Sequence, residues 1–146
     1  MSDVKIPANR VISGTWAEVW VNGELWAECD GGQAKVANNK TNIHMCGVMM
    51  VDAKITSQKG TGSISVHKVF TRNTTQAKSL SEGRDERATI VMKLADPDAY
   101  GAERIALYNV SFDDETLADF RAGNPVKVSY PFTFTGWDYL DTISPR

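Results

Sequence analysis

Apolar and polar residues alternate over residues 15–21 and resume after Asn22-Gly23. Asn-Gly is the dipeptide favoured where both central residues of a two-residue turn take positive φ. Residues 14–32 are therefore predicted to form a hairpin, with Val21 opposite Glu24, Trp20 opposite Leu25 and Val19 opposite Trp26. The same two-residue period runs through "GTGSISVHKV" (60–69), where Ile64, Val66 and Lys68 alternate with Ser63, Ser65 and His67. It predicts a strand over 61–70 with Ile64, Val66 and Phe70 facing the core and the serines and histidine facing out. Residues 88–95 and 103–112 read as two more strands, the second with Ala106, Tyr108, Val110 and Phe112 on one side. In 124–140, Val126, Val128, Tyr130, Phe132 and Phe134 alternate with polar positions and Pro131. Proline has no N–H to give a ladder, so this strand should lie at an edge or carry a bulge there.

Two stretches have the helical period. In 71–87, Ala77 and Leu80 share a face and Gly83 is a stop, which predicts one short helix. Residues 113–123 fit a helix beginning at Asp113, with Leu117 and Phe120 on one side and Gly123 as its stop, although period alone does not fix the choice. About seven strands and one helix make the chain mostly β: an antiparallel β-sandwich or small barrel with one short flanking α-helix.

The pattern fades between 34 and 59. Residues 37–42 are polar, 44–51 apolar and 56–60 turn-like, and strand content is open. A long loop, 37–60, with an apolar middle needs something to cover it, which is the first sign of a partner.

At 146 residues the chain is one domain by size, 1–146, with a polar N-terminal arm (1–12) and a short C-terminal tail (141–146). Its 42% hydrophobic content excludes disorder across the whole length. A net charge of -2 and a pI near 5.7 argue against specific nucleic-acid binding, which needs concentrated Lys and Arg. No apolar stretch has the length of a membrane helix or the form of a signal peptide, so folding is expected in the cytoplasm with Cys29 and Cys46 as reduced thiols.

Candidate chemistry is sparse. His44 and Cys46 project to one side of a strand but lack the further ligands a zinc site requires. Asp113, Asp114, Glu115 and Asp119 lack the spacing of a calcium loop and read as a solvated turn or helix start. No phosphate-binding, nucleophile-elbow or dinucleotide motif occurs, so no catalytic residue, metal or cofactor is expected. Trp16 and Trp20, on one strand face around Glu18, leave a carbohydrate-binding platform as an alternative; the competing reading puts Trp20 and Trp26 in the core or at an interface.

Three stretches, "GTGSISVHKV" (60–69), "GAERIALYNVSFD" (101–113) and "VSYPFTFTGWDYL" (128–140), follow "VNGELW" (21–26) in an order that resembles the XkdM-like tail tube proteins of contractile phages and phage-tail-like particles. The resemblance implies a tail-tube type sandwich whose copies form hexameric rings, stacked into a tube around a lumen for DNA or ion passage. It makes Ser63, Ser65 and His67 lumen-facing candidates, and 37–60 an inter-subunit loop with Asn39, Lys40, Val48, Met49, Met50 and Val51 as contacts. Sheath, baseplate and tape-measure proteins are the implied partners, and the tail of a particle assembled in a bacterial host cytoplasm the implied location. It turns 113–123 towards an extended strand or turn, while 71–82 is more polar than the family's packed helix. A lumen wall that releases DNA favours small polar and acidic side chains over rows of lysine. A related ring-forming tube or tail completion protein of a secretion system is the nearest alternative.

Overall fold

The computed structural model describes residues 6–145; the first five residues of the expected N-terminal arm, and Arg146 of the tail, lie outside them. Two single-turn 3-10 helices, Ala8–Arg10 and Gly14–Trp16, lead into β1 (Ala17–Val21). The order continues β2 (Glu24–Leu25), β3 (Cys29–Ile43), β4 (Asp52–His67), α1 (Thr74–Ser81), β5 (Ala88–Leu94), β6 (Glu103–Phe112), β7 (Lys127–Phe134) and β8 (Gly136–Asp141). The predicted hairpin is present: Trp20 pairs with Leu25 and Val21 with Glu24, and Asn22 and Gly23 take φ of 51° and 81°. Trp26 N donates to Val19 O at 3.0 Å, which continues that register beyond β2.

All strand pairs are antiparallel, in the order β2-β1-β5-β6-β7-β4-β3, with β8 on the other side of β6. β6 turns the corner of the sandwich. Its earlier residues lie between β5 and β8, whereas Ser111 and Phe112 pair with Thr133 and Phe132 of β7. One layer is thus β2-β1-β5-β6-β8 and the other β7-β4-β3. Between them lie Val19, Val21, Trp26, Ile64, Val66, Ile90, Leu107, Val110, Phe112, Val128, Tyr130, Phe132 and Phe134. Edge-to-face contacts join Trp26 to Tyr130 at 5.1 Å and Phe112 to both Tyr130 and Phe132 at 6.2 Å. Such pairs add to the area they bury.

Several expectations change at the level of single residues. Phe70 does not enter the core: β4 ends at His67, and Phe70 is exposed with the Arg72 guanidinium 5.2 Å from its ring. Tyr108 turns outward and Leu107 inward, because Asn109 adopts φ 57° in a bulge that resets the alternation of β6. Helix α1 forms where predicted and stops before Gly83 (φ 76°), but it buries Gln76 and Ser79 while Leu80 is exposed. Trp16 lies in the 3-10 turn, not on a strand face with Trp20, and Trp20 is half-exposed; of the three tryptophans, Trp26 alone is buried.

Residues 113–126 form neither helix nor strand. Asp113 N donates to Pro131 O at 2.8 Å, which ties the start of the segment to β7, and Asn124 N donates to Arg121 O at 3.2 Å in a turn before β7 begins. Pro131 itself is not on an edge strand, since β7 lies between β6 and β4. It sits one residue beyond the last β6 rung, so its missing N–H faces the side where β6 has ended.

Candidate assembly surfaces

Ser63, Ser65 and His67 stand in a row on the side of β4 opposite to Ile64 and Val66. The register places Pro131, Ser129 and Lys127 of β7 beside them, with Gln33 and Gly31 of β3 beside the two serines. Both serines are half-buried and His67 is exposed. Asp30, at the irregularity between Cys29 and Gly31, gathers this end of the row: its Oδ2 is 2.7 Å from Lys127 Nζ and 3.4 Å from His67 Nε2. The Lys127 ammonium, with help from the Ser65 hydroxyl, holds the Asp30 carboxyl below its usual range. Towards the other end the face continues through Thr61 and Thr133 to Lys35 and Lys59. The face is small and polar in its middle, and Lys35, Lys59 and Lys127 outnumber Asp30 along it.

The segment expected as a loop, 37–60, is mostly strand. β3 and β4 stay paired from Ala37 opposite Lys59 to Ile43 opposite Asp52, which leaves 44–51 as the turn of a long arm. Backbone pairing is reinforced by side chains on both faces. Asn39 Nδ2 donates to Ser57 Oγ at 2.9 Å, and Gln58 Nε2 donates to Asn38 Oδ1 at 3.0 Å. Lys40 pairs with Ile55 just past a bulge at Thr56, whose hydroxyl donates to Asn39 O at 3.3 Å. At the tip, Val48, Met49, Met50 and Val51 are 58%, 99%, 85% and 45% exposed, and Met45 is exposed beside them. Cys46 is a free thiol at this tip and Cys29 another at the far end of β3, so the two do not pair.

Glycine fixes the root of the arm. A Cβ at Gly62 would fall 2.3 Å from Gln33 O and 2.6 Å from the Phe132 ring, and one at Gly60 2.6 Å from the Phe134 ring. The two glycines that open "GTGSISVHKV" are places where the aromatic core of β7 fills the space of a side chain. Sequence reading saw them only as the start of a strand. It also missed Arg72, which ties the chain after β4 to the start of β3: Nε and Nη2 donate to the two carboxylate oxygens of Glu28 at 2.6 and 3.0 Å, and Nη1 to Glu24. That bidentate pair holds the nearly buried Glu28 carboxyl below its usual range.

The acids of 113–119 face water except Glu115, which is half-buried and accepts from Asn73 Nδ2; burial raises its carboxyl above the usual range. Leu117 and Phe120, between and beyond these acids, are 79% and 80% exposed. Among the described residues no group of three or more His, Cys, Asp and Glu side chains is placed to hold a metal, and no helix is long and apolar enough to cross a membrane.

Residues 4–141 match the family model described as phage tail tube protein. The chain belongs to that family. The tail tube match spans both layers, the arm and the outer β4 face. Among individual proteins, the chain is 28% identical over 142 residues to the phage-like element PBSX protein XkdM of Bacillus subtilis (strain 168), covering 95% of this chain and 97% of XkdM. It is 29% identical over 141 residues to YqbM of the same strain, covering 94% and 96%. The tail tube fold recurs in solved structures of extracellular contractile injection systems. A chain of the PVC sheath-tube complex in its extended state aligns with a TM-score of 0.69 at 12% identity over 95% of both chains. A chain of the PVC sheath/tube terminator aligns at 0.74 and 12% identity, over 94% of this chain and 99% of that one. At these identities the likeness is one of fold.

Proposed function

We propose that this member of the tail tube family is the repeating subunit of a tube, six copies closing into a ring and rings stacking around a lumen. The observation that carries the reading is the arm. A two-stranded hairpin with solvent on both faces is marginal by itself, and a bare tip of valines and methionines on an otherwise polar shaft is a surface for another molecule. The β3 edge supports the same reading, because an unpaired edge is a template for a further strand and closing copies into a ring would satisfy it.

In this arrangement Ser63, Ser65 and His67 line the lumen and 37–60 reaches between subunits through Asn39, Lys40 and the apolar tip. The lumen wall is then weakly basic, and the passage of an anionic polymer depends on salt. Sheath, baseplate and tape-measure proteins are the partners this role calls for, in the tail of a phage or phage-tail-like particle assembled in its bacterial host. The role assigns the chain no catalytic step and no cofactor.

Negative-stain microscopy of the purified protein across a range of concentrations tests the reading. Hollow tubes or six-fold rings are expected. A protein that stays monomeric throughout, with its arm intact, would overturn it.

A further inference from the structure

Two surfaces of the chain carry charge that forms no salt bridge among the described residues. Beyond the outer face, residues 37–58 of the arm hold Lys40 and Lys54 against the single acid Asp52, a net +1. Residues 113–121 hold Asp113, Asp114, Glu115 and Asp119 against the single base Arg121, a net -3. Among the described residues, no salt bridge involves any of these charged side chains. Each surface is also apolar, the first at the arm tip and the second at Leu117 and Phe120.

They do not meet in one copy. Asp113 is bonded to Pro131, which pairs with Ser63; from there β4 runs eleven residues to Asp52 before the tip begins, about 36 Å at ~3.3 Å per residue. The acidic segment leads the other way, to Lys127 opposite His67. Pairing from Val36 opposite Gly60 to Ile43 opposite Asp52, broken only by the bulge at Thr56, holds the arm extended away from that segment.

We infer that the arm of one copy docks along residues 113–121 of a second copy, its Lys40 and Lys54 against the acids and its tip against Leu117 and Phe120. This rests on the tube reading and names the surface that receives the arm. Opposite net charges on two apolar surfaces of one chain fit a second copy of that chain as the occupant. Because donor and receiver lie at different ends of the molecule, the contact is head-to-tail and repeats from copy to copy.

Charge reversal tests it. Lys40→Glu with Lys54→Glu, and separately Asp114→Lys with Asp119→Lys, should each raise the protein concentration needed for assembly at low salt by about tenfold or more, with thermal unfolding unchanged. The chain carrying all four substitutions should assemble as the parent does, and so should an equal mixture of the two double variants. Parent-like assembly of both double variants, or failure of the folded four-fold variant and of the mixture, would overturn the docking. A readout that needs no tubes separates this from the tube reading: Phe120→Cys, with the native Cys46, should yield disulfide-linked multimers under mild oxidation, whereas Val11→Cys should not. Equal cross-linking at both positions, or none at 120, refutes the docking whether or not tubes form.

Discussion

The body and the arm are made from the same two strands, and the contrast between them is sharpest within β4. From Gly60 to Val66 its alternate residues are buried against β7, with Ile64 at 0% and Val66 at 2% exposure. From Asp52 to Lys59 both faces meet solvent, and the strand is held by β3 alone. Burial stabilises the first half through apolar area; the second has only a backbone ladder and a few amide and hydroxyl bonds, each contributing about 1 kcal/mol. A strand of this length therefore carries two different dependences, one on its own core and, in the proposed tube, one on a neighbour.

Substitutions should separate these dependences. The largest loss of stability is expected from Val66→Lys, which puts an ammonium group into the core: about 5 kcal/mol, comparable with the whole stability of a small domain, and read as an unfolded circular-dichroism spectrum. Gly62→Ala should cost about 1–3 kcal/mol in denaturant titration, since its Cβ must displace the Phe132 ring or the Gln33 carbonyl. Retained parent stability there would show that the arm is not clamped at its root.

Arg72→Met should cost about 2 kcal/mol at neutral pH by removing the charged bonds to Glu28. The folded Glu28 carboxyl lies below its unfolded value near 4.5, so its contribution is present above that pH and is lost as pH falls through the lower folded value. The stability difference between parent and variant should accordingly shrink in acid. Val48→Asp with Met50→Asp should leave thermal unfolding within about 0.5 kcal/mol of the parent, because the tip is exposed in the single copy, while abolishing tubes in the microscope. Ser65→Lys should be the mildest, keeping both stability and assembly, since the outer face leaves a lysine hydrated.

What the sequence disclosed follows the same division. The Asn22-Gly23 hairpin and the outward turn of Ser63, Ser65 and His67 were legible because each depends on local turn chemistry or on burial of a single face. Residues 35–43 and 52–59 hid their strand character because, with both faces wet, no side-chain alternation was imposed on them. In β6 the alternation was real but was reset at Asn109, a bulge that no period reveals. The spacing of Leu117 and Phe120 imitated a helix face, whereas the bond from Asp113 to Pro131, eighteen positions apart in the chain, is set by tertiary pairing. Of the assembly surfaces, the apolar tip was visible as composition; the clamp at Gly60 and Gly62 and the basic margins of the outer face needed the register.

Glycine beside a projecting element is ordinarily taken for a hinge. At the root of this arm it has the opposite mechanical effect, because the space left by Gly60 and Gly62 is occupied by the Phe134 and Phe132 rings. The arm is a cantilever set into an aromatic mount. In the proposed tube, load applied at Met49 or Met50 would bend the hairpin as a beam and be passed through this joint into the β7 core.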